Sequence, residues 1–257
     1  MKRRNFTLAA TLAMTAAANS TRAQQRAGDK QIFELRRYRL DSAEKQQALE
    51  AFFRDVEIPA LNRAGVPTVG VFKEREGDGL DLYLLLPFAT LDAFAALTER
   101  LAADAIYRAE GAAILDAGKK DPPYLRIESA LMEAFDRLPR LVVPEKKAGR
   151  VYELRQYESA SFTDAMNKIE MFNGGGEIDL FLETGLDPVF FGRSLAGAKL
   201  PNLTYMLSFD DMAAHDANWS AFGKHPEWNR IKAIPKYKGT VSNITKTFLT
   251  ATPYSQI

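Results

Sequence analysis

The sequence predicts an α+β protein made of two tandem β-α-β-β-α-β repeats. Their antiparallel sheets are expected to pack into one barrel within the chain, with the helices outside. The first observation behind this prediction is a duplicated run, E-L-R-x-Y, at Glu34–Tyr38 and again at Glu153–Tyr157. The second is that the same order of strand and helix patterns follows each run. The period is too long for a solenoid unit, so each copy is one small domain.

The first repeat opens with a strand, because residues 31–38 alternate between apolar and polar side chains. Ser42 is a suitable N-cap, and apolar residues then recur at helical spacing as far as Gly65. Two β-rich segments separated by a glycine-containing turn follow as a hairpin. The predicted elements are a strand over 31–38, a helix over 42–65, strands over 69–74 and 80–88, helices over 90–100 and 103–117, and a strand over 124–132.

The second repeat shows the same order, with its first helix interrupted at Gly174-Gly175-Gly176. This order places both helices on one face of a four-stranded sheet. The bare faces of the two sheets can then cover each other, which closes the barrel. The predicted elements are a strand over 151–157, a helix over 162–184, strands over 189–193 and 203–209, helices over 212–222 and 227–234, and a strand over 241–249.

The N-terminal segment reads as an export signal. Residues 1–25 combine a basic start with an Ala- and Thr-rich apolar stretch and a small-residue cleavage point. The pair Arg3-Arg4 before Phe6 resembles the twin-arginine signal, so a periplasmic or secreted location is expected. The predicted domain limits are 30–136 for the first repeat, 137–149 for a proline- and lysine-containing linker, and 150–257 for the second repeat.

Composition excludes several classes of function. The chain has no cysteine, which rules out disulfides, thiolate metal sites and cysteine nucleophiles. Without residues 1–23, which hold four of the 34 basic residues and no acidic one, 30 basic and 33 acidic residues remain, a net charge of −3. No basic block is left, which argues against nucleic acid and anionic membrane surfaces as partners. No segment approaches the roughly 20 apolar residues of a membrane-spanning helix. We expect no metal and no cofactor, with a small-molecule ligand and self-association as the modes of interaction left open.

Several further motifs resemble those of the NIPSNAP family. They are, besides the two E-L-R-x-Y runs, Phe172-Asn173, Gly185-Leu-Asp-Pro188, Pro201-Asn-Leu-Thr-Tyr205, His225-Pro-Glu-Trp228, Val241-Ser-Asn-Ile244 and Ser255-Gln-Ile257. The resemblance implies the ferredoxin-like dimeric α/β-barrel superfamily, which includes small monooxygenases, isomerase-like enzymes and haem proteins. It supplies no established catalytic residues. The first repeat departs from the pattern after its opening strand, so a site is expected in the second.

The polar residues of the duplicated run share one strand face in each copy. If these faces look into the barrel, Glu153, Arg155 and Tyr157 form the polar floor of a ligand pocket. The alternative is structural: these residues pair across neighbouring strands and fix the register, or they lie on a partly solvated sheet face. We expect the two faces to point inward.

Candidate site residues follow from this arrangement. Glu153 and His225 are the catalytic candidates, since a buried carboxylate or an imidazole can transfer protons. His225 has a structural alternative as the cap of the helix that starts at Pro226. The ligand-binding candidates are Arg155, Tyr157, Asn173, Glu177, Asn202, Tyr205 and Trp228. Asn202 heads an N-x-T sequence at the start of a predicted strand and has a structural role as its alternative. A glycine-rich loop separates Asn173 from Glu177.

Two hypotheses of function remain open at this point. The first is a small-molecule site in the barrel of the second repeat, with cofactor-free oxygenase or isomerase chemistry suggested by the superfamily alone. The second is a non-catalytic interaction or scaffold protein that acts through its outer surface or through self-association. A cavity above roughly 300 Å³ would favour the first hypothesis.

Overall fold

The computed structural model describes residues 30–75, 77 and 79–257. The predicted signal peptide at 1–25 lies outside these residues. The described strands confirm the predicted order. Their ends differ from the predicted bounds by about two residues, which is the usual scatter between assignments. They are β1 Ile32–Arg39, β2 Gly70–Glu74, β3 Leu82–Phe88, β4 Arg126–Ala134, β5 Val151–Glu158, β6 Asp187–Ala196, β7 Asn202–Phe209 and β8 Asn243–Ala251.

The helices follow the predicted order but are more broken. In the described chain they are α1 Ala43–Phe52, α2 Ile58–Arg63, α3 Leu91–Ala95, α4 Leu97–Ala103, α5 Ala105–Glu110, α6 Ala112–Leu115, α7 Phe162–Asn173, α8 Glu177–Glu183, α9 Met212–Lys224 and α10 Pro226–Ala233. A π-helical segment, Phe53–Glu57, joins α1 to α2. Asp104 caps α5 with its side chain, which ends α4 at that point. None of the helices in the described ranges is long and apolar enough to cross a bilayer.

The strands form one closed barrel in the order β1-β3-β2-β8-β5-β7-β6-β4, and every pair is antiparallel. Each repeat contributes four consecutive strands of this order. The two sheets join at β2–β8, where Phe72 faces Ala251, and at β4–β6, where Glu133 faces Arg193. The predicted intrachain barrel with outer helices is therefore confirmed.

The barrel interior is packed with apolar side chains. One buried cluster takes residues from all eight strands and none from a helix, and it includes Phe33, Phe72, Met132, Phe190 and Met206. The rings of Phe33 and Phe190 lie 5.2 Å apart across the interior. On the outer face of the barrel, each half of the sheet forms one further cluster with its own helices. A smaller fourth cluster, Met171, Ile231 and Tyr237, lies beside the helices of the second repeat. The described part of the chain thus has a core inside the barrel and a core on the outer face of each half.

The expectation that the polar strand faces point into the barrel is wrong. Tyr38 packs with the helix residues of the first repeat, and Tyr157 packs with those of the second. The residues that fill the interior are the alternating apolar ones, such as Phe33 and Leu154. Physically, a buried charge needs partners, and the helices can supply polar side chains to the outer face whereas the apolar interior cannot.

The segment between the repeats follows the barrel surface closely. The backbone N–H of Val142 donates to the carbonyl of Val189, and that of Leu141 donates to the Gln31 side chain. Leu141 also packs against the interior cluster. The segment 137–149 contains no helix or strand, although these contacts hold it against both repeats.

Phe190→Ala tests whether the barrel interior is a true core. Phe190 is fully buried, so we expect a loss of about 3–5 kcal/mol in the free energy of unfolding. Phe162→Ala is the control, because Phe162 is 72% exposed and its truncation should change stability by less than about 0.5 kcal/mol. Urea unfolding of both variants measures the difference. Equal costs would show that the interior does not hold the fold.

Candidate functional site

A cavity of about 360 Å³ lies between the sheet and the helices of the first repeat. Its walls are mainly apolar, with Leu49 and Phe52 from α1, and Leu97 and Leu101 from α4. Polar groups converge at one side of it, where Arg36, Glu57 and Tyr107 meet. An apolar cavity with a few convergent polar groups is the usual form of a small-molecule site.

Arg36 reaches the cavity from β1, where it belongs to the first E-L-R-x-Y run. Its guanidinium lies 2.9 Å from Glu34 Oε2 and 3.7 Å from Glu57 Oε1, and its side chain is 17% exposed. Burial opposes its charge, but the hydrogen bond to Glu34 and the two nearby carboxylates outweigh burial and raise the pKa of Arg36. The guanidinium therefore stays cationic and is held in place at the cavity wall.

Glu57 is the last residue of the π-helical segment. A π-turn adds a residue to the helical turn and redirects the side chains that follow, and such turns are frequent at functional sites. Here the turn coincides with burial of the Glu57 carboxylate, which is 2% exposed. Burial raises the pKa of Glu57 above its ordinary 4.5, although the Tyr107 hydrogen bond and the Arg36 charge both act to lower it.

Tyr107 comes from α5 and completes the polar group. Its hydroxyl donates to Glu57 Oε2 at 2.8 Å, and burial together with Glu57 raises the pKa of this phenol. The Tyr107 phenol therefore stays protonated and acts as a hydrogen-bond donor. Next to this group, the ring of Tyr38 meets that of Tyr124 edge to face, with centroids 5.5 Å apart. The cavity thus has an aromatic side and a charged side.

The second repeat holds a related polar network at the equivalent place. Arg155 lies 3.2 Å from Glu153 Oε1, and its guanidinium stacks 4.3 Å above the Trp219 ring. Trp219 Nε1 donates to Glu153 Oε2 at 2.9 Å. His215 Nε2 lies 3.5 Å from the same carboxylate oxygen. Glu153 is thus enclosed by an arginine, an indole and an imidazole.

The remaining members of this second network are also buried. The Tyr205 hydroxyl donates to that of Tyr157 at 2.9 Å, and Lys168 Nζ lies 2.7 Å from Glu177 Oε2. Burial raises the pKa of Glu177, whereas the charge of Lys168 opposes the shift. The Lys168 ammonium also lies 5.8 Å from the centre of the Trp228 ring. Five of the predicted ligand-binding residues are brought together here: Arg155, Tyr157, Glu177, Tyr205 and Trp228.

Side-chain size at three equivalent positions distinguishes the two copies. Counted from the N-caps Ser42 and Ser161, Lys168 holds the position of Leu49. A second alignment uses the N-caps Thr90 and Asp211, which open the next helices of the two repeats. It equates Trp219 with Thr98 and Phe222 with Leu101. All three first-repeat residues line the cavity, so the second repeat carries a bulkier side chain at each of the three equivalent positions.

Three sequence candidates have structural roles outside either network. His225 Nδ1 accepts the backbone N–H of Glu227 at 3.2 Å, so His225 caps α10, which matches its structural alternative. Asn173 Oδ1 accepts the backbone N–H of Arg137. Asn202 accepts from the Ser194 hydroxyl and donates to the carbonyls of Ala198 and Lys199, which braces the turn from β6 to β7.

Glu57 and Tyr107 were missed in the sequence. Glu57 fell within a helix predicted to run unbroken from residue 42 to 65. One signal was available, because Pro59 stands inside that helix and a proline there disturbs the hydrogen bonding of the preceding turn. Tyr107 matches Trp228 of the second repeat, since each lies three residues after the N-caps Asp104 and His225.

The arrangement can bind a ligand and move a proton. Glu57 can accept a proton in its ionised form, and the fixed cation of Arg36 can stabilise negative charge that develops beside it. Within the described ranges, no group of three or more His, Asp or Glu side chains is placed to hold a metal ion. Arg36, Glu57 and Tyr107 themselves can supply acid–base and electrostatic catalysis.

Solved structures of similar fold are known. A proposed monooxygenase from Fusobacterium nucleatum subsp. nucleatum superposes with a TM-score of 0.58 at 10% identity, over 86% of this chain and 92% of that one. One from Lactobacillus acidophilus gives 0.56 at 11% identity, over 86% and 94%. An uncharacterised NIPSNAP-like domain protein from Burkholderia xenovorans gives 0.38 at 14% identity, over 42% and 89%. The first two share the barrel fold with this chain.

Sequence comparison gives the family. No curated protein sequence matches the chain. The family model described as NIPSNAP matches residues 33–115 and 152–256, which is more than half of the chain and covers most of both repeats. The chain therefore belongs to the NIPSNAP family.

Proposed function

We propose that the chain binds a small aromatic molecule with an acidic hydroxyl or carbonyl group in the first-repeat cavity. Glu57 exchanges a proton with this ligand, and Arg36 stabilises the resulting oxyanion. The observation that carries the proposal is the meeting of Arg36, Glu57 and Tyr107 at the wall of an apolar cavity of about 360 Å³. This replaces the second-repeat barrel as the expected place of the ligand.

The lining supports the class of ligand. Phe52, Tyr38 and Tyr124 offer ring faces and edges, and aliphatic residues of α1 and α4 complete the walls. The volume fits a ligand of about two fused rings, since drug-sized molecules occupy cavities from roughly 300 Å³ upwards. A negative or polarised oxygen on such a ligand would lie most favourably beside Arg36, which is the fixed cation of the site.

The reaction in this proposal is a proton transfer. The proton moves from the ligand to the Glu57 carboxylate, and the electron pair left behind becomes an enolate or phenolate oxygen beside Arg36. Return of the proton to another atom would complete an isomerisation, which needs no further reagent. Oxygenation would in addition consume dioxygen, so a measurement of oxygen uptake separates this reaction from simple isomerisation.

The alternative, a scaffold that acts through its outer surface, is less well supported. The cavity exceeds the roughly 300 Å³ at which a ligand role becomes the better explanation. The polar group in it is also preorganised, because Arg36 is held from two sides and Glu57 accepts a hydrogen bond.

Export through the N-terminal signal is part of the same proposal. The ligand would then be met in the periplasm or outside the cell.

Closing the cavity mouth tests the site. Thr98 is exposed and lines the cavity, so Thr98→Trp should cover the opening with the side chain found at the matching position of the second repeat. We expect binding of 1-naphthol, followed by fluorescence, to weaken by about tenfold or more because the ligand loses its buried apolar surface. Glu99→Trp is the control, since Glu99 is also exposed but lies outside the cavity. Unchanged binding to the Thr98 variant would place the ligand elsewhere.

Titration of Glu57 tests the proton transfer. The ionised carboxylate of Glu57 is the base, and it predominates only above its pKa. Burial raises that pKa above 4.5, so proton abstraction should increase with pH through the raised value. Tyr107→Phe removes a hydrogen bond that lowers this pKa, so the midpoint should move to higher pH. Carboxyl ¹³C NMR, assigned with Glu57→Gln, reports the midpoint directly.

Tyr124→Phe is the matched control for this titration. Tyr124 lines the same cavity but makes its ring contact edge to face with Tyr38, so removal of its hydroxyl should leave the midpoint unchanged. A Tyr107→Phe midpoint equal to or below that of the native chain would remove Glu57 from the proposed role.

A further inference from the structure

A second cavity, of about 210 Å³, opens at one end of the barrel on the inner side of the sheet. The sheet itself separates it from the first-repeat cavity, since Leu35 lines the inner cavity and its neighbour Arg36 lines the outer one. Arg37 and Gln156 also line it, and these are the residues at the variable position of the two E-L-R-x-Y runs. Residues of the first E-L-R-x-Y run thus line a cavity on each face of the barrel wall.

Polar residues form opposite walls of this inner cavity. On the second-repeat side, Gln156 of β5 faces Thr204 of β7 and Thr245 of β8, so the three side chains form one row across neighbouring strands. On the first-repeat side, Arg37 of β1 faces Tyr83 of β3 and Glu128 of β4. The apolar residues Leu35 and Leu154, which stand two positions earlier on β1 and β5, lie below these rows.

Thr204 is the observation that points to a ligand. It is 2% exposed, it lines the cavity, and its Oγ1 has no hydrogen-bond partner among the described residues. Buried hydroxyls in folded proteins are generally satisfied, so an orphaned one beside a cavity marks a place where another molecule supplies the partner. Valine has nearly the same shape as threonine and would have avoided the free-energy cost of burying an unpaired hydroxyl.

The charged residues around the cavity already have partners. Arg37 pairs with Asp81 at 2.7 Å, Lys199 with Glu158 at 3.2 Å, and Glu128 with Arg39 at 3.2 Å. Thr245 Oγ1 already accepts from Lys199 Nζ at 3.5 Å, so the groups left to recognise a ligand are neutral, chiefly the Thr204 hydroxyl and the Gln156 amide. Hydroxyls and amides both donate and accept hydrogen bonds, which complements ligands that carry several hydroxyl groups.

We propose that the inner cavity binds a small uncharged polyol of up to monosaccharide size, with Thr204 and Gln156 as its principal hydrogen-bond partners. The volume corresponds to roughly seven water molecules at about 30 Å³ each, which sets this upper size. The apolar floor contacts the carbon skeleton, and the threonine row contacts the hydroxyls. This site is separate from the first-repeat cavity and does not depend on the function proposed for it.

Saturation-transfer difference NMR with myo-inositol and D-glucose tests the proposal on the whole chain. We expect transfer from the native protein to at least one of them, reduced by about fivefold or more in Thr204→Val, which removes only the hydroxyl and keeps the shape. Thr250→Val is the matched control, because Thr250 lies on β8 outside this cavity and should leave the signal unchanged. Binding of 1-naphthol should be the same in both variants.

Three outcomes would overturn the proposal. One is the absence of transfer to either polyol, which would mean that the cavity holds solvent only. Another is equal transfer in Thr204→Val and the native protein, which would place the polyol elsewhere. The last is displacement of the polyol by succinate, because a dianion that competes there would show a charge-recognising site. Unfolding curves of the two valine variants check that a lost signal does not reflect a lost fold.

Discussion

Most strands of this barrel are covered on both faces, with the first halves of β4 and β8 as the exposed exceptions, and this double burial governs the rest of the structure. Along β1, Phe33 packs inside the barrel while its neighbour Glu34 faces the helices. A charge in such a position is tolerated only when partners accompany it. Glu34 receives them from Arg36 on the same strand and from the Ser129 hydroxyl on β4. The polar character of the outer layer therefore follows from the need to satisfy charges that the strand itself carries.

The two repeats solve the same problem in different ways. In the first, the arginine is flanked by Glu57 and Tyr107 from the helices, and the space beside them stays open. In the second, the arginine is covered by the Trp219 ring, and a lysine reaches Glu177 from a helical position that holds leucine in the first copy. The strand residues of the duplicated run are shared by the two halves, whereas the helix residues that pack against them differ in size.

Much of the fold could be predicted from the sequence, because the duplicated run, the alternation and the capping residues act locally. The orientation of the strand faces could not. Alternation separates Glu34, Arg36 and Tyr38 from their neighbours, but both sets are largely buried, so hydrophobicity does not say which side is the interior. The site was harder still. Glu57 reaches it through a π-turn, and the open space depends on side-chain sizes in helices that are distant in sequence from β1.

The covalent joining of the halves has a consequence for how the protein can change. In a barrel made of two identical subunits, every substitution appears twice, so both cavities must gain or lose volume together. Here β2 pairs with β8 and β4 with β6 within one polypeptide, and each half carries its own codons. One half can therefore specialise in holding the structure together while the other is free to acquire a new ligand.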